Sequence, residues 1–536
     1  MSLGPRISIV YHLPGVARRR TVTVGGDGSI VGNNDARQLG MSVSGNANVR
    51  RVAIKPVVPV VIDEVSAVMQ LDIAAADALY LNGYNSWTDS VERPVDDRMW
   101  GLTRAPRRLI EKHVLDASGD YLFVDEDPRR GHQHGFGYGY LRQGDSVLLF
   151  GSLDEDCGYT VIYEDLDAGT LTFDKEPPNR TVSAGEEREL LSLCVEGGTL
   201  DEAMDAWLAR AGIACRPARP LVGYSSWYRH YGNIDAWCLE KDLAGVAQVL
   251  GGMDLGGVDP VFQIDDGYAK VGDWLEYDRA KFPEGPRELA RKAADAGLLP
   301  GLWIAPFVCE RESRVFAEHE DWVMRNDSGE LVKSGSQWSY GMALDVRNPE
   351  VRAYVRNVLQ TVTREWGFKL LKLDFLYAAC MVAHDGLNRG ELMADALDLL
   401  RSSVDDDVRL LFCGVPLVSA FGRCEYCRVG QDVGLDWDDK PHMRMMHRER
   451  VSTKLSLANA RGRKHLDKRV FRCDPDIMFL REEGVSFTAE QREEMQRTDT
   501  TSGGVLFTSD NMADWNARQL DAFHHAVAAF RAYNQA

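Results

Sequence analysis

The sequence predicts two joined folds: an antiparallel β-sandwich over residues 1–198 and a (β/α)8 barrel over residues 220–536, with a linking helix and connector at 199–219. Three observations carry this. The 536 residues exceed what one hydrophobic core organises. The first part reads as short strands of alternating polarity, separated by Gly, Asp and Asn turn signals. From residue 220 the rhythm becomes strand, loop, helix, repeated, which is the pattern of a parallel sheet with helical crossovers.

In the N-terminal part, "RTVTVGGDGSIVGNN" and "DSVLLFGSLDEDCGYTVIYEDLDAGTLTFD" alternate over four to eight residues between turns, as half-buried antiparallel strands do. The join follows in "TLDEAMDAWLARAG", where Thr199 and Glu202 have capping-box spacing and Gly212 marks a helix stop. The clearest barrel unit runs from 348 to 375. Asn348 is an N-cap and Pro349 suits the first helical turn; Val351, Val355, Val358, Leu359, Val362 and Trp366 recur at helical spacing, and Gly367 ends the run. Eight strands are predicted: "LVGYSSW", "PVFQIDD", "PGLWIAP", "LLKLDF", "RLLFCGV", "YCRVGQD", "RVFRCD" and "GGVLFTS". An open doubly wound sheet is the rival, but Gly135, Gly137 and Gly139 lack the dinucleotide-binding spacing.

Composition narrows the function. A formal charge of −19 argues against a nucleic-acid partner, and no apolar run approaches a membrane span. Ten cysteines without paired spacing, and an N-terminus without a signal-peptide pattern, predict a cytoplasmic protein with reduced thiols. Oligomeric state is left open, a homo-oligomer included.

Charges sit where barrel strands end. "LLKLDFLYAA" carries Lys372 and Asp374 in an apolar run, two apart and hence on one side of the strand. Asp265 and Asp266 end the second strand, Cys413 the fifth, and Arg428 with Asp432 the sixth; Tyr224 and Trp227 close the first, and Trp303 lies on the third. The C-terminal ends of barrel strands form the active-site face. Acids that accept from hydroxyls, cations that donate to them, and indoles that stack on sugar rings point to carbohydrate chemistry, and glycoside hydrolysis needs two carboxyl groups. Trp303 and Trp437 read equally as packing residues or sugar platforms. Asp474 and Asp476 in "CDPD" read as structural. His132 and His134 in "GHQHGFGYGY" have no third ligand nearby in sequence, so no metal is expected, and no cofactor.

"LLKLDFLY", "CGVPL", "CRVGQD", "FRCDPDIMFLREE" and "FQIDDGY" closely resemble glycoside hydrolase family 36, the α-galactosidases called melibiases; "NGYNSWTDS" is similar to a segment of that family's N-terminal β-domain. The chain ends in a predicted barrel helix where many family members continue into a C-terminal β-domain. The resemblance implies a retaining exo-α-galactosidase acting on small α-galactoside oligosaccharides. It makes Asp374 the nucleophile and Asp432 the acid and base, their carboxyls about 5 Å apart. It also puts Asp265 and Asp266 on the 4- and 6-hydroxyls, Lys372, Cys413 and Arg428 on the 2- and 3-hydroxyl side, and Trp87 over the sugar. Lys372 beside Asp374 favours the carboxylate, and Asp432 needs a raised pKa. In related enzymes the loop after the fifth strand lies near the sugar's 2-position; Gly414, Ser419 and Ala420 there are small enough to keep an α-N-acetylgalactosaminidase as an alternative. A non-catalytic sugar-binding protein is the reading from another class, and it leaves the pair Asp374 and Asp432 unexplained.

Overall fold

The computed structural model describes residues 4–46, 48–102, 105–438 and 447–535. The N-terminal strands form two seven-stranded antiparallel sheets. One is built around Arg6–His12, Val61–Gln70, Thr170–Lys175 and Thr160–Asp165; the other around Val49–Ile54, Arg188–Gly198, Ser146–Ser152 and Tyr138–Gln143. Alternation does what period two requires: Ile7, Ile9 and Tyr11 face inward from Arg6–His12 while their neighbours are more exposed. The sheets share one apolar core, with Ile9, Ile62 and Phe173 from the first and Ile54, Phe150 and Leu193 from the second. Phe150 and Phe173 meet edge to face at 5.8 Å.

The joining helix spans Leu200–Ala211, and both hydrogen bonds of the Thr199–Glu202 capping box are present, with Gly212 left-handed at its end. Its Trp207 lies in a second core that runs without a break from Tyr80, Tyr138 and Tyr140 into the barrel.

All eight predicted barrel strands form: β1 (Leu221–Ser225), β2 (Asp259–Ile264), β3 (Leu299–Ile304), β4 (Leu370–Leu373), β5 (Arg409–Phe412), β6 (Tyr426–Arg428), β7 (Arg472–Asp474, resuming at Ile477–Met478) and β8 (Val505–Thr508). They pair in parallel from β1 to β7, β8 pairs with β1, and the resumed part of β7 pairs with β8, so the sheet curls back on itself. The helix after β3, Pro349–Gln360, has Asn348 as its N-cap, as the sequence predicts.

One predicted connection differs. Between β5 and β6 the chain makes only a 3-10 turn, Leu417–Ala420. Its backbone groups are taken by the N-terminal region instead: Ser86 N–H donates to Val415 O at 2.8 Å and Leu417 N–H to Tyr84 O at 2.9 Å. A helix here would displace that docking.

The contact between the two regions is fixed by Arg463, fully buried just beyond the helix Thr453–Gly462. Its guanidinium donates to the carbonyls of Gly83, Asn85, Ser86 and Val429 and to Asn82 Oδ1. A buried cation costs several kcal/mol unless its donors are satisfied, and here five acceptors converge on it. Four of the five belong to residues 82–86, which are thereby pinned over the barrel.

Candidate active site

Asp374 follows β4 directly. Its N–H still donates to Ile304 O of β3, at 2.9 Å, after which Phe375 adopts φ +53. That left-handed residue turns the chain sharply and aims its own N–H at Asp374 Oδ1, 2.8 Å away. Such a conformation costs of order 1–3 kcal/mol and persists where the surroundings impose it. Trp303, on β3, donates its indole N–H to Asp374 Oδ2 at 2.9 Å.

Asp374 and Asp432 line one pit of about 230 Å³, together with Trp87, Phe375, Tyr377, Gln337 and His447. Two roomier grooves, of about 620 and 710 Å³, open elsewhere on the surface and touch neither carboxyl. Burial raises the Asp374 carboxyl above its usual range and nearby Asp432 adds to this; Lys372, the Trp303 indole and Cys413 pull the other way without winning. Lys372 is therefore not the simple partner of Asp374 that the sequence suggests. Its ammonium donates to Asp265 Oδ2 at 3.0 Å. Burial would strip its proton, but Asp265 holds it protonated.

Asp265 is buried and also accepts from Gln263 and Ser225. Asp266 accepts from the Trp338 indole at 2.7 Å and is pushed up to about 6, chiefly by burial, with Asp265 adding to it. Arg428 joins β6 to β7: it donates to Asp432 at 2.8 Å, to Asp476 at 2.7 Å and to Asp474 at 3.3 Å. Asp474 and Asp476 thus have the structural place their sequence suggests, beneath Arg428.

Trp87 reaches the barrel from the N-terminal region and donates its indole N–H to Cys413 Sγ at 3.2 Å. Gly414 makes this approach fit: at φ +55, a Cβ would lie 2.8 Å from the Trp87 ring and 3.0 Å from Phe375 N. The room that Gly414 was expected to leave for an acetamido group is filled by that indole. Ser419 and Ala420 are buried, Ser419 against the Tyr159 hydroxyl at 3.1 Å, so they open no space either. Trp227 packs edge-on to Tyr231 at 5.1 Å, and Trp437 is half-buried after β6; neither is among the side chains lining the pit.

Four contributors, Trp338, Tyr228, Thr88 and Glu449, went unnoticed in the sequence. Trp338 sits in "GSQWSYG", between strands of a small antiparallel sheet inserted after β3 (Val308–Glu310, Lys333–Gly335, Gly341–Ala343). Tyr228 donates to Asp476. Thr88 donates to buried Glu449 at 2.7 Å, and Glu449 stands 3.8 Å from His447 in the pit wall. No periodicity marks any of them, because each lies in a loop or on a one-turn helix.

A closed parallel sheet with two carboxyls on one indole-walled pit at its C-terminal rim is the arrangement of a barrel glycoside hydrolase. The comparisons agree. The Melibiase family model matches residues 252–389. The α-galactosidase AgaA of Geobacillus stearothermophilus is 25% identical over 171 residues, 31% of this chain and 22% of that protein. Mel36A of Lactobacillus acidophilus is 33% identical over 88 residues, 16% of this chain and 11% of that protein. The alignments thus span no more than about a fifth of these two curated relatives. The structure of TtGalA, an α-galactosidase from Thermus thermophilus in complex with stachyose, superposes over 90% of this chain and 95% of its own, with a TM-score of 0.71 at 25% identity. An α-galactosidase from Lactobacillus brevis shares the fold, with a TM-score of 0.62 at 12% identity over 99% of this chain and 73% of its own. The stretch 252–389 thus matches the melibiases, and the fold around it is similar to that of solved α-galactosidases.

Proposed function

We propose that the protein is a retaining exo-α-galactosidase that releases terminal α-linked galactose from small oligosaccharides through a covalent glycosyl-enzyme. The observation that carries this is the single pit lined by both Asp374 and Asp432 and walled by Trp87. Asp374, held at both oxygens by the Phe375 N–H and the Trp303 indole, is the nucleophile. Asp432 protonates the departing oxygen and then takes a proton from water. Arg428 fixes one Asp432 oxygen and leaves the other for the glycosidic oxygen. Asp265 and Asp266, locked by Lys372 and Trp338, accept from galactose hydroxyls, and Cys413 and Arg428 stand on the opposite side of the ring.

The likeness to a structure that holds stachyose supports galactosyl oligosaccharides as substrates. The core shared by the two N-terminal sheets supports reading them as the faces of one sandwich whose task is to carry residues 82–90 over the pit. Among the described residues no helix is long and apolar enough to cross a membrane, and all ten cysteines are free, which fits action in the cytoplasm.

The deciding experiment compares wild type with Asp374→Ala on p-nitrophenyl α-galactoside and on its N-acetylgalactosaminide counterpart. The wild type is expected to turn over the galactoside, and the variant to lose at least 10³ in kcat, the scale of a missing nucleophile. Substantial residual turnover by the variant overturns the assignment of Asp374.

A further inference from the structure

Far from the barrel mouth in sequence, the edge of the first N-terminal sheet carries a second constellation. Strand His134–Phe136 pairs antiparallel with Thr160–Asp165, His134 opposite Tyr163, and the ladder continues as Glu164 N–H donates to Gln133 O. That register sets His132 across from Asp165, on the same face. The turn after Asp165 brings Asp167 to the same spot. One ligand atom from each of His132, Asp165 and Asp167 lies within 4.8 Å of the other two.

His132 is 93% buried, yet its Nε2 has no hydrogen-bond partner among the described residues; Asp167 Oδ2 stands 3.5 Å from it. Leaving a buried ring nitrogen unsatisfied costs about 1–3 kcal/mol. On the other side of the ring, Nδ1 stands 3.6 Å from Asp127 Oδ2. A carboxylate behind the far nitrogen is the support that metal-bound imidazoles use: it accepts a hydrogen bond from Nδ1–H and leaves the Nε2 lone pair for the ion. Arg129, exposed and paired with Asp127, now donates to Nδ1 at 3.3 Å and must swing aside for that tautomer.

We propose that His132 Nε2, Asp165 and Asp167 bind a divalent transition ion of the Zn²⁺ class, with Asp127 as the carboxylate behind the imidazole. One nitrogen and two carboxylate oxygens suit Zn²⁺ and leave a position for water, whereas Ca²⁺ and Mg²⁺ take all-oxygen sets. The residue spacing alone argued against this, because the ligands beside His132 come from a strand thirty residues on. The ion would tie the segment entering His134–Phe136 to the turn after Asp165, a bond at the sheet's edge independent of the sugar chemistry.

The test is calorimetric titration of the full, chelator-stripped protein with Zn²⁺, and with Ca²⁺ as a control, alongside His132→Gln and Asp165→Asn. One Zn²⁺ per chain is expected, with a higher melting temperature and at least a tenfold loss of affinity in each variant. Co²⁺ in place of Zn²⁺ should give weak visible bands without the intense near-ultraviolet absorption of thiolate ligation, which separates this site from the cysteines. Absence of saturable Zn²⁺ binding, equal binding by the variants, or thiolate absorption each overturns the proposal. If His132→Gln does not fold, Asp165→Asn decides alone.

Discussion

At the scale of residues, the site is a set of carboxyls whose proton affinities are set by what touches them. Asp374 is pulled up by burial and by Asp432, and the Trp303 indole is one of few groups restraining it. Trp303→Phe keeps the packing and removes that donor. A hydrogen bond to the charged form lowers a pKa, so its loss raises the pKa of Asp374 further. A nucleophile must be ionised, so the acid limb of the kcat/KM profile should move to higher pH, and an unmoved limb would contradict the role. Asp374, Asp432, Asp265 and Arg428 were conspicuous in the sequence because a charge at the end of an apolar strand has a cost that demands a reason. Trp338 and Glu449 were not, because polarity in a loop costs nothing and raises no question.

Elements were read well wherever hydrophobic period decided them. All eight barrel strands and the capped helix Leu200–Ala211 formed where alternation, apolar runs and capping residues placed them. The missing helix after β5 and the inserted sheet after β3 escaped because both depend on docking against distant chain. The strand Thr160–Asp165 holds a further test. Glu164 within it is 2% exposed, and neither of its oxygens has a partner among the described residues. Burial, with Asp165 and Asp96 adding to it, pushes it up to about 8. Since the folded value lies above the ordinary 4.5, its contribution to stability is whole below pH 4.5 and is lost as pH rises through 8. Glu164→Gln should remove that slope and gain on the order of a few kcal/mol near pH 9. Melting curves of both proteins at pH 5 and pH 9 check it: the variant's advantage must appear at the higher pH.

For the whole molecule, the barrel is not self-sufficient. The pit's wall comes from Trp87, its neighbour Thr88 braces Glu449, and the core around Tyr80, Tyr138 and Trp207 continues into the barrel. Residues 220–536 expressed alone should be insoluble or inactive, since removing residues 1–219 uncovers that core and strands the Arg463 guanidinium. A soluble, active fragment would refute this. The two textures of the sequence announced two regions; that the first lends Trp87 to a pit in the second came from the resemblance of "NGYNSWTDS" and not from any period.

That division has a price in time as the chain is made. The tyrosine-rich face of Tyr80, Tyr138 and Tyr140 leaves the ribosome some three hundred residues ahead of Phe421 and His465, the barrel side chains that pack against it. At bacterial or eukaryotic synthesis rates this is roughly 15 to 60 seconds of uncovered aromatic surface. Chaperone supply, more than intrinsic stability, should therefore govern the yield of nascent protein.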